Sequence, residues 1–240
     1  MSVSSDQEPV IAAHGLNFSY GTGELRKQIL FDLDLEMRPG EIVLLTGPSG
    51  SGKTTLLTLI GALRTVRDGE LKVLGHELRD APASLRVELR RQIGFIFQAH
   101  NLLDFLSARQ NVELTHQLHH QMPTSEFRRR TEHLFEMVGL AERIDYPPSR
   151  LSIGQKQRVA VVRALAGQPK LVLADEPTAS LDSKSGRDVV ELLSKLAREQ
   201  GCPILMVTHD SRVLDIADRK IHMEDGRIAE EGATVAGSER

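Results

Sequence analysis

The stretch Ile42-Val43-Leu44-Leu45, followed after Thr46 by Gly47-Pro48-Ser49-Gly50-Ser51-Gly52-Lys53-Thr54-Thr55, carries the decisive reading of this chain. The apolar run suits a buried strand, and the residues after it satisfy G-x-x-x-x-G-K-[ST]. Glycines let backbone N–H groups turn toward one point without a Cβ in the way. A helix starting near Lys53 adds the positive end of its dipole, so a polyphosphate meets donors and field together. In such a loop the lysine reaches the β- and γ-phosphates and the hydroxyl of the next residue, here Thr54, holds Mg2+. A kinase, a GTPase or a helicase can carry the same pattern. The strand before it and the helix after it, with Leu56, Leu57 and Ile60, favour a bound nucleoside triphosphate over a plain glycine turn, which leaves Lys53 unexplained.

The chain has 240 residues, of which 40% are hydrophobic, enough for one large α/β domain with an inserted subdomain. Its 30 basic and 33 acidic residues leave a net charge of -3, so no global positive field holds nucleic acid, and none is expected as a partner. The local clusters Arg86/Arg90/Arg91 and Arg128-Arg129-Arg130 read as solvated helix faces. The lone Cys202 precedes Pro203-Ile204-Leu205-Met206-Val207, a buried-strand pattern, and reads as a reduced core residue of a cytosolic protein. No run approaches the ~20 apolar residues of a membrane span, and residues 1–9 lack the basic and apolar blocks of a secretion signal. A membrane role then has to come through a partner.

The stretch Ile11 to Phe18 reads as a strand leading into the turn Gly21-Thr22-Gly23, apolar and polar residues alternate through Ile29 to Leu35, and Gly69 to Gly75 brackets another short strand. Between about Arg86 and Ala166 the spacing turns helical, as in Phe127/Thr131/Leu134/Val138 closed by Gly139, and Pro147-Pro148 forces a break. This stretch reads as an inserted helical subdomain. Alternation of strand and helix then resumes with Leu171 to Ala174, the face Val189/Leu192/Leu193/Leu196, and Ile204 to Val207. Such an order implies a parallel core sheet, with Gly47, Asp175 and His209 at the carboxyl edge of its strands. Residues 1–9 and 233–240 read as disordered ends, around a domain spanning 10–232.

Leu171-Val172-Leu173-Ala174-Asp175-Glu176 delivers two carboxylates to that edge. Asp175 can orient Mg2+ near Thr54, and Glu176 can polarise a water on the far side of the γ-phosphate. Farther back, Leu151-Ser152-Ile153-Gly154-Gln155 starts a helix with Ser152 as N-cap and Gly154 presenting its amide, a second anion-friendly helix start.

The phosphate loop, this Ser152 turn, Asp175-Glu176, Ser180-Leu181-Asp182, Gln98 and His209 together resemble the ordered motif set of the ATP-binding cassette ATPases, over about Val10 to Ala229. The resemblance implies a P-loop α/β fold: a RecA-like parallel core sheet, an antiparallel β subdomain and an inserted α-helical subdomain. It implies two subunits packed head to tail around two ATP molecules with Mg2+, the Ser152 hydroxyl, Gly154 amide and Gln155 completing the partner's γ-phosphate shell. By the same likeness Tyr20 stacks on adenine, Gln98 touches Mg2+ and the attacking water, His209 bonds the γ-phosphate and holds Glu176, and Asp182 lies where subunits communicate. Ile153 departs from the glycine most frequent in the family.

The runs Gly94 to Leu103 and Leu171 to Ala179 are similar to lipoprotein-releasing and macrolide-exporting cassettes, and most of all to glycolipid-exporter subunits of the DevA type. That likeness implies an ATPase on the cytoplasmic face of the inner membrane. It docks through the region from Gln98 to Val112 on an integral permease, often alongside a membrane-fusion protein, and powers export or extraction of a lipid-like cargo. A cell-division cassette that transmits force without transport shares nearly all of these motifs and is the alternative.

Overall fold

The computed structural model describes residues 8–119, 122–210 and 213–233. The ends read as disordered fall outside these except for Glu8, Pro9 and Ala233. Two sheets organise the described residues. The first is antiparallel, with order β2-β1-β4-β5, and comprises β1 (Ile11–Tyr20), β2 (Lys27–Met37), β4 (Asp68–Val73) and β5 (His76–Glu77). Strand β2 alternates as read: Leu33, Leu35 and Met37 are buried while Asp32, Asp34 and Glu36 lie outward.

The second sheet runs β10-β9-β3-β8-β7-β6, with β3 (Ile42–Thr46), β6 (Ile93–Ile96), β7 (Leu171–Asp175), β8 (Ile204–Val207), β9 (Arg219–Glu224) and β10 (Arg227–Ala233). Strands β9, β3, β8, β7 and β6 pair in parallel, and β10 adds an antiparallel edge. Strands β3, β7 and β8 are apolar without alternation because both faces are covered. Ile42, Leu44, Val172, Ala174, Ile204 and Met206 pack on one face with α5 (Ile153–Ala166) and α6 (Ser183–Gln200). Val43, Leu45, Leu171, Leu173, Leu205 and Val207 pack on the other with α1 (Lys53–Ile60) and the antiparallel sheet.

Helix α6 buries the predicted stripe Val189/Leu192/Leu193/Leu196, starts on Asp182 and ends on Gly201 in the left-handed region, φ 65°. Helices α2 (Ala83–Arg91), α3 (Ala108–His119) and α4 (Thr124–Met137) complete the set. The stretch 86–166 is not helical throughout. It contains β6, whose Ile93 to Ile96 pair with Leu171 to Ala174 and belong to the core sheet. A four-residue apolar run is too short to reveal its period, so the neighbouring helical spacing masked it. Arg86 and Arg90 are also not merely solvated: Arg86 Nη1 donates to Thr65 Oγ1 and Arg90 Nη1 to the Ala62 carbonyl.

Cys202 is buried and donates its thiol to the Pro169 carbonyl, and burial pushes its pKa up to about 12. The folded protein at pH 8 is therefore expected to react with a thiol reagent at least ~100-fold more slowly than an ordinary cysteine of pKa ~8.5, reacting fully once unfolded. Equal rates in native and denaturing buffer would contradict the burial.

Candidate active site at the carboxyl edge of the core sheet

Strand register builds this site. Val207 of β8 sits opposite Leu45 of β3 on one side and Asp175 of β7 on the other. Past that rung the three strands become the glycine loop, Glu176, and Thr208-His209, so their side chains converge. They enclose a cavity of about 660 Å3 lined by Tyr20, Gly47, Ser49, Gly50, Gly52, Lys53, Thr54, Thr55, Gln98, Asp175, Glu176 and His209. Gln98 arrives there because β6 ends two residues earlier, at Ile96.

Two glycines of the loop combine a positive φ with a close approach that leaves no room for a Cβ. At Gly47 φ is 137° and a Cβ would lie 2.0 Å from the Met223 carbonyl oxygen. At Gly52 φ is 99° and a Cβ would lie 2.7 Å from Leu30 Cδ2. Lys53 Nζ curls back to the carbonyls of Gly47 (2.8 Å) and Pro48 (2.7 Å) and to Ser51 Oγ (3.3 Å). Burial lowers its pKa, partly opposed by the charges of Glu176 and Asp175. Pro48 and Ser51 thus serve the site by holding the lysine.

Thr54 Oγ1 donates to Asp175 Oδ2 at 3.1 Å. Burial raises the Asp175 pKa above the ordinary value and the nearby Glu176 charge adds to the rise, while the Thr54 hydrogen bond and Lys53 pull it down. Hydroxyl and carboxylate oxygens side by side, with the Gln98 amide in the same cavity, make a hard-oxygen donor set of the kind Mg2+ takes together with phosphate oxygens. Among the described residues no group of three or more His, Cys, Asp or Glu side chains stands ready for a metal. Such a cage is not what Mg2+ requires when a phosphate supplies ligands.

Glu176 sits at φ 50°, a left-handed conformation costing roughly 1–2 kcal/mol in a residue with a Cβ. Its amide still donates to the Val207 carbonyl at 2.8 Å. The turn carries its carboxylate to His209 Nδ1, 2.8 Å away, and to the Thr208 hydroxyl, which donates at 3.3 Å. Thr208 Oγ1 in turn accepts from the Asp210 amide, and Thr178 Oγ1 donates to Asp210 Oδ2 at 2.6 Å. Thr208, Thr178 and Asp210 were missed by sequence reasoning. Adjacency to His209 and Glu176 was the only signal, and hydroxyls are too common for it to weigh.

Tyr20 forms a wall of the same cavity: its hydroxyl is 3.2 Å from Thr55 Oγ1, Phe18 meets it edge-on, and the Arg64 guanidinium lies 4.7 Å from its ring centroid. The loop after Gln98 is tied to α5 by Arg163, which donates to the carbonyls of His100 and Asn101.

Ser152, Gly154, Gln155 and Asp182 lie outside the cavity. Ser152 and Gln155 form a capping box: Ser152 Oγ accepts from the Gln155 amide at 3.2 Å, and Gln155 Oε1 accepts from the Ser152 amide at 3.0 Å. Ser152 keeps its O–H as a donor, since the cap uses only the oxygen. Ile153 is 63% exposed, so its side chain does not press into the turn. Gly154 packs near the Ser180 carbonyl and Leu181, which brings the starts of α5 and α6 together. Asp182 caps α6 by accepting from the Ser185 amide at 3.0 Å, and that bond holds its pKa down.

A glycine loop at a parallel strand's carboxyl end, facing a strand-end carboxylate pair, defines a P-loop nucleoside-triphosphate-binding protein. Residues 30–179 match the family described as ABC transporter, and the chain belongs to it. It is 42% identical over 221 residues to the lipoprotein-releasing system ATP-binding protein LolD 2 of Rhodospirillum rubrum, covering 92% of this chain and 96% of that one. It is 41% identical over 227 residues to the macrolide export ATP-binding/permease protein MacB of Marinobacter nauticus, covering 93% of this chain and 34% of the relative. The chain thus spans about a third of the length of the MacB relatives it matches. A solved dimeric ABC transporter cassette, MJ0796, superposes with TM-score 0.88 at 37% identity, over 93% of this chain and 98% of that chain.

The raised pKa of Asp175 means that the folded protein holds its proton more tightly than the unfolded chain. The charged carboxylate therefore penalises stability at neutral pH, and the penalty fades as pH falls through that raised pKa. Asp175→Asn is expected to raise the nucleotide-free Tm at pH 7. The difference should shrink on acidification. A lower Tm for the variant at pH 7 would contradict the sign.

Proposed function

We propose that this chain is the ATP-binding and ATP-hydrolysing subunit of an ABC transporter, driving a separate integral membrane permease. The single observation that carries the reading is the convergence of Lys53, Thr54, Asp175, Glu176 and His209 in one cavity. Lys53 exchanges its loop carbonyls for the β- and γ-phosphates, and the loop amides take the remaining oxygens. Thr54, Asp175 and Gln98 would hold Mg2+, which would supply positive charge against the phosphate oxygens. Glu176 accepts a proton from water as its oxygen attacks the γ-phosphorus, and the bond to ADP breaks to release phosphate. His209 and Thr208 keep that carboxylate in place. Tyr20 stacks on adenine.

Two copies close head to tail on ATP, each presenting Ser152, Gly154 and Gln155 to the other's γ-phosphate. Support comes from the separation of that turn from the Lys53 cavity, from the exposure of Ser152, and from the dimeric MJ0796 cassettes, one of them bound to ADP and Pi. Asp182, next to the same surface, relays closure between subunits.

Among the described residues no helix is long and apolar enough to cross a membrane, so attachment to the cytoplasmic face of the inner membrane runs through the permease. The docking surface is the region from Gln98 to Val112. Buried Asn111 braces it, accepting from the Leu103 amide and donating to the carbonyls of Leu103, Leu106 and Ser107, and leaves Phe105 81% exposed on a rigid loop. The names of the relatives, a macrolide exporter and a lipoprotein-releasing system, favour a lipid-like or hydrophobic cargo. A membrane-fusion protein reached through the permease completes the proposed assembly.

Lys53→Ala is expected to lose ATP binding. Glu176→Gln should keep it while hydrolysis drops by at least ~100-fold, leaving a dimer on gel filtration that persists only with ATP. Hydrolysis at the parent rate would remove Glu176 from its role. Phe105→Asp should cut recovery of the permease in affinity purification from solubilised membranes and leave ATP affinity unchanged. Unaltered recovery would move the docking surface elsewhere.

A further inference from the structure

A second cavity, of about 600 Å3, lies between the turn after β1 and the loop joining α1 to β4. Four arginines line it, Arg26, Arg64, Arg67 and Arg86, against a single lining carboxylate, Asp68, among the described residues. Arginine does not shed its charge at working pH, so three positive charges stand unbalanced around one hollow. Among the described residues the arginine ion pairs fall on Arg109, Arg187, Arg198 and Arg219, and none of the four lining the cavity has one.

Two of the four guanidinium groups are already held in place. Arg86 is fixed by its bond to Thr65 at 2.8 Å, and its Nε is buried without a hydrogen-bond partner. Arg64 is fixed by Thr58 Oγ1 at 3.2 Å and by the Tyr20 ring. Arg26 and Arg67 are exposed at the rim. Groups fixed in advance lose little entropy on taking a ligand.

We propose that this cavity is a second anion site, built for a phosphate-bearing ligand and separate from the phosphate loop at Lys53. Guanidinium forks suit both carboxylate and phosphate. A multiply charged phosphoryl group matches three unbalanced charges better than one carboxylate does. The cavity is also within the size range of small-ligand sites. Free polyanions and lipid head groups share this chemistry.

The test uses the full chain carrying Lys53→Ala, so that the first phosphate loop does not supply the signal. Inorganic pyrophosphate is titrated by calorimetry, and vesicles of phosphatidylglycerol or phosphatidylcholine are assayed by co-sedimentation. Binding of pyrophosphate is expected, weakening on the order of tenfold for each of Arg26→Gln and Arg67→Gln and falling with added salt. Arg86→Gln should act likewise, and the two rim variants, being exposed, should keep the parent Tm. Binding to phosphatidylglycerol vesicles alone, lost in the same variants, would assign the site to a lipid head group. Neither probe binding, or either binding equally well to the folded Arg26→Gln/Arg67→Gln variant, overturns the proposal. Because ATP is not used, a failure here is separate from a failure of the hydrolysis reading.

Discussion

The parallel register of β3, β8 and β7 is the constraint from which the site follows. Val207 is flanked by Leu45 and Asp175, and all three strands run in one direction, so their carboxyl ends reach the same edge together. A register shift of one residue would turn the buried Leu45, Leu173 and Val207 to the opposite face and misplace every group after them. The core therefore sets catalytic geometry as directly as it sets stability. Apolar packing on both faces of the sheet leaves no slack for slippage.

At that edge the protein keeps charges in surroundings that do not favour them. Burial disfavours both the Lys53 ammonium and the Asp175 carboxylate, and each partly relieves the other. Glu176 adds backbone strain at φ 50° and is steadied by Thr208 and His209. Such local costs are concentrated where a polyphosphate and its metal would compensate them, the pattern expected of a site organised for binding.

Connections outward from the edge are few and identifiable. Strand β6 brings Gln98 to the cavity, and two residues later His100 and Asn101 are gripped by Arg163 of α5. The same α5 begins at the exposed, capped Ser152, outside the cavity of its own Lys53. A displacement at Gln98 thus has a short, hydrogen-bonded route to the helix that faces the neighbouring subunit in the proposed dimer.

By itself the sequence determined the elements whose signals are local. The phosphate loop, the Ser152 cap, the stripe of α6 and the alternation of β2 depend on residues a few positions apart, and each could be read in order. The ordered motifs likewise sufficed for the family. Only the tertiary structure decided that Ile93 to Ile96 is a core strand, because its pairing partner lies nearly eighty residues away at Leu171 to Ala174. It alone revealed the left-handed turn at Glu176, which Val207 stabilises from across the sheet, and the gathering of Arg26, Arg64, Arg67 and Arg86 from three separate segments. Periodicity reports which face of an element is buried; it carries no information about which distant face it meets.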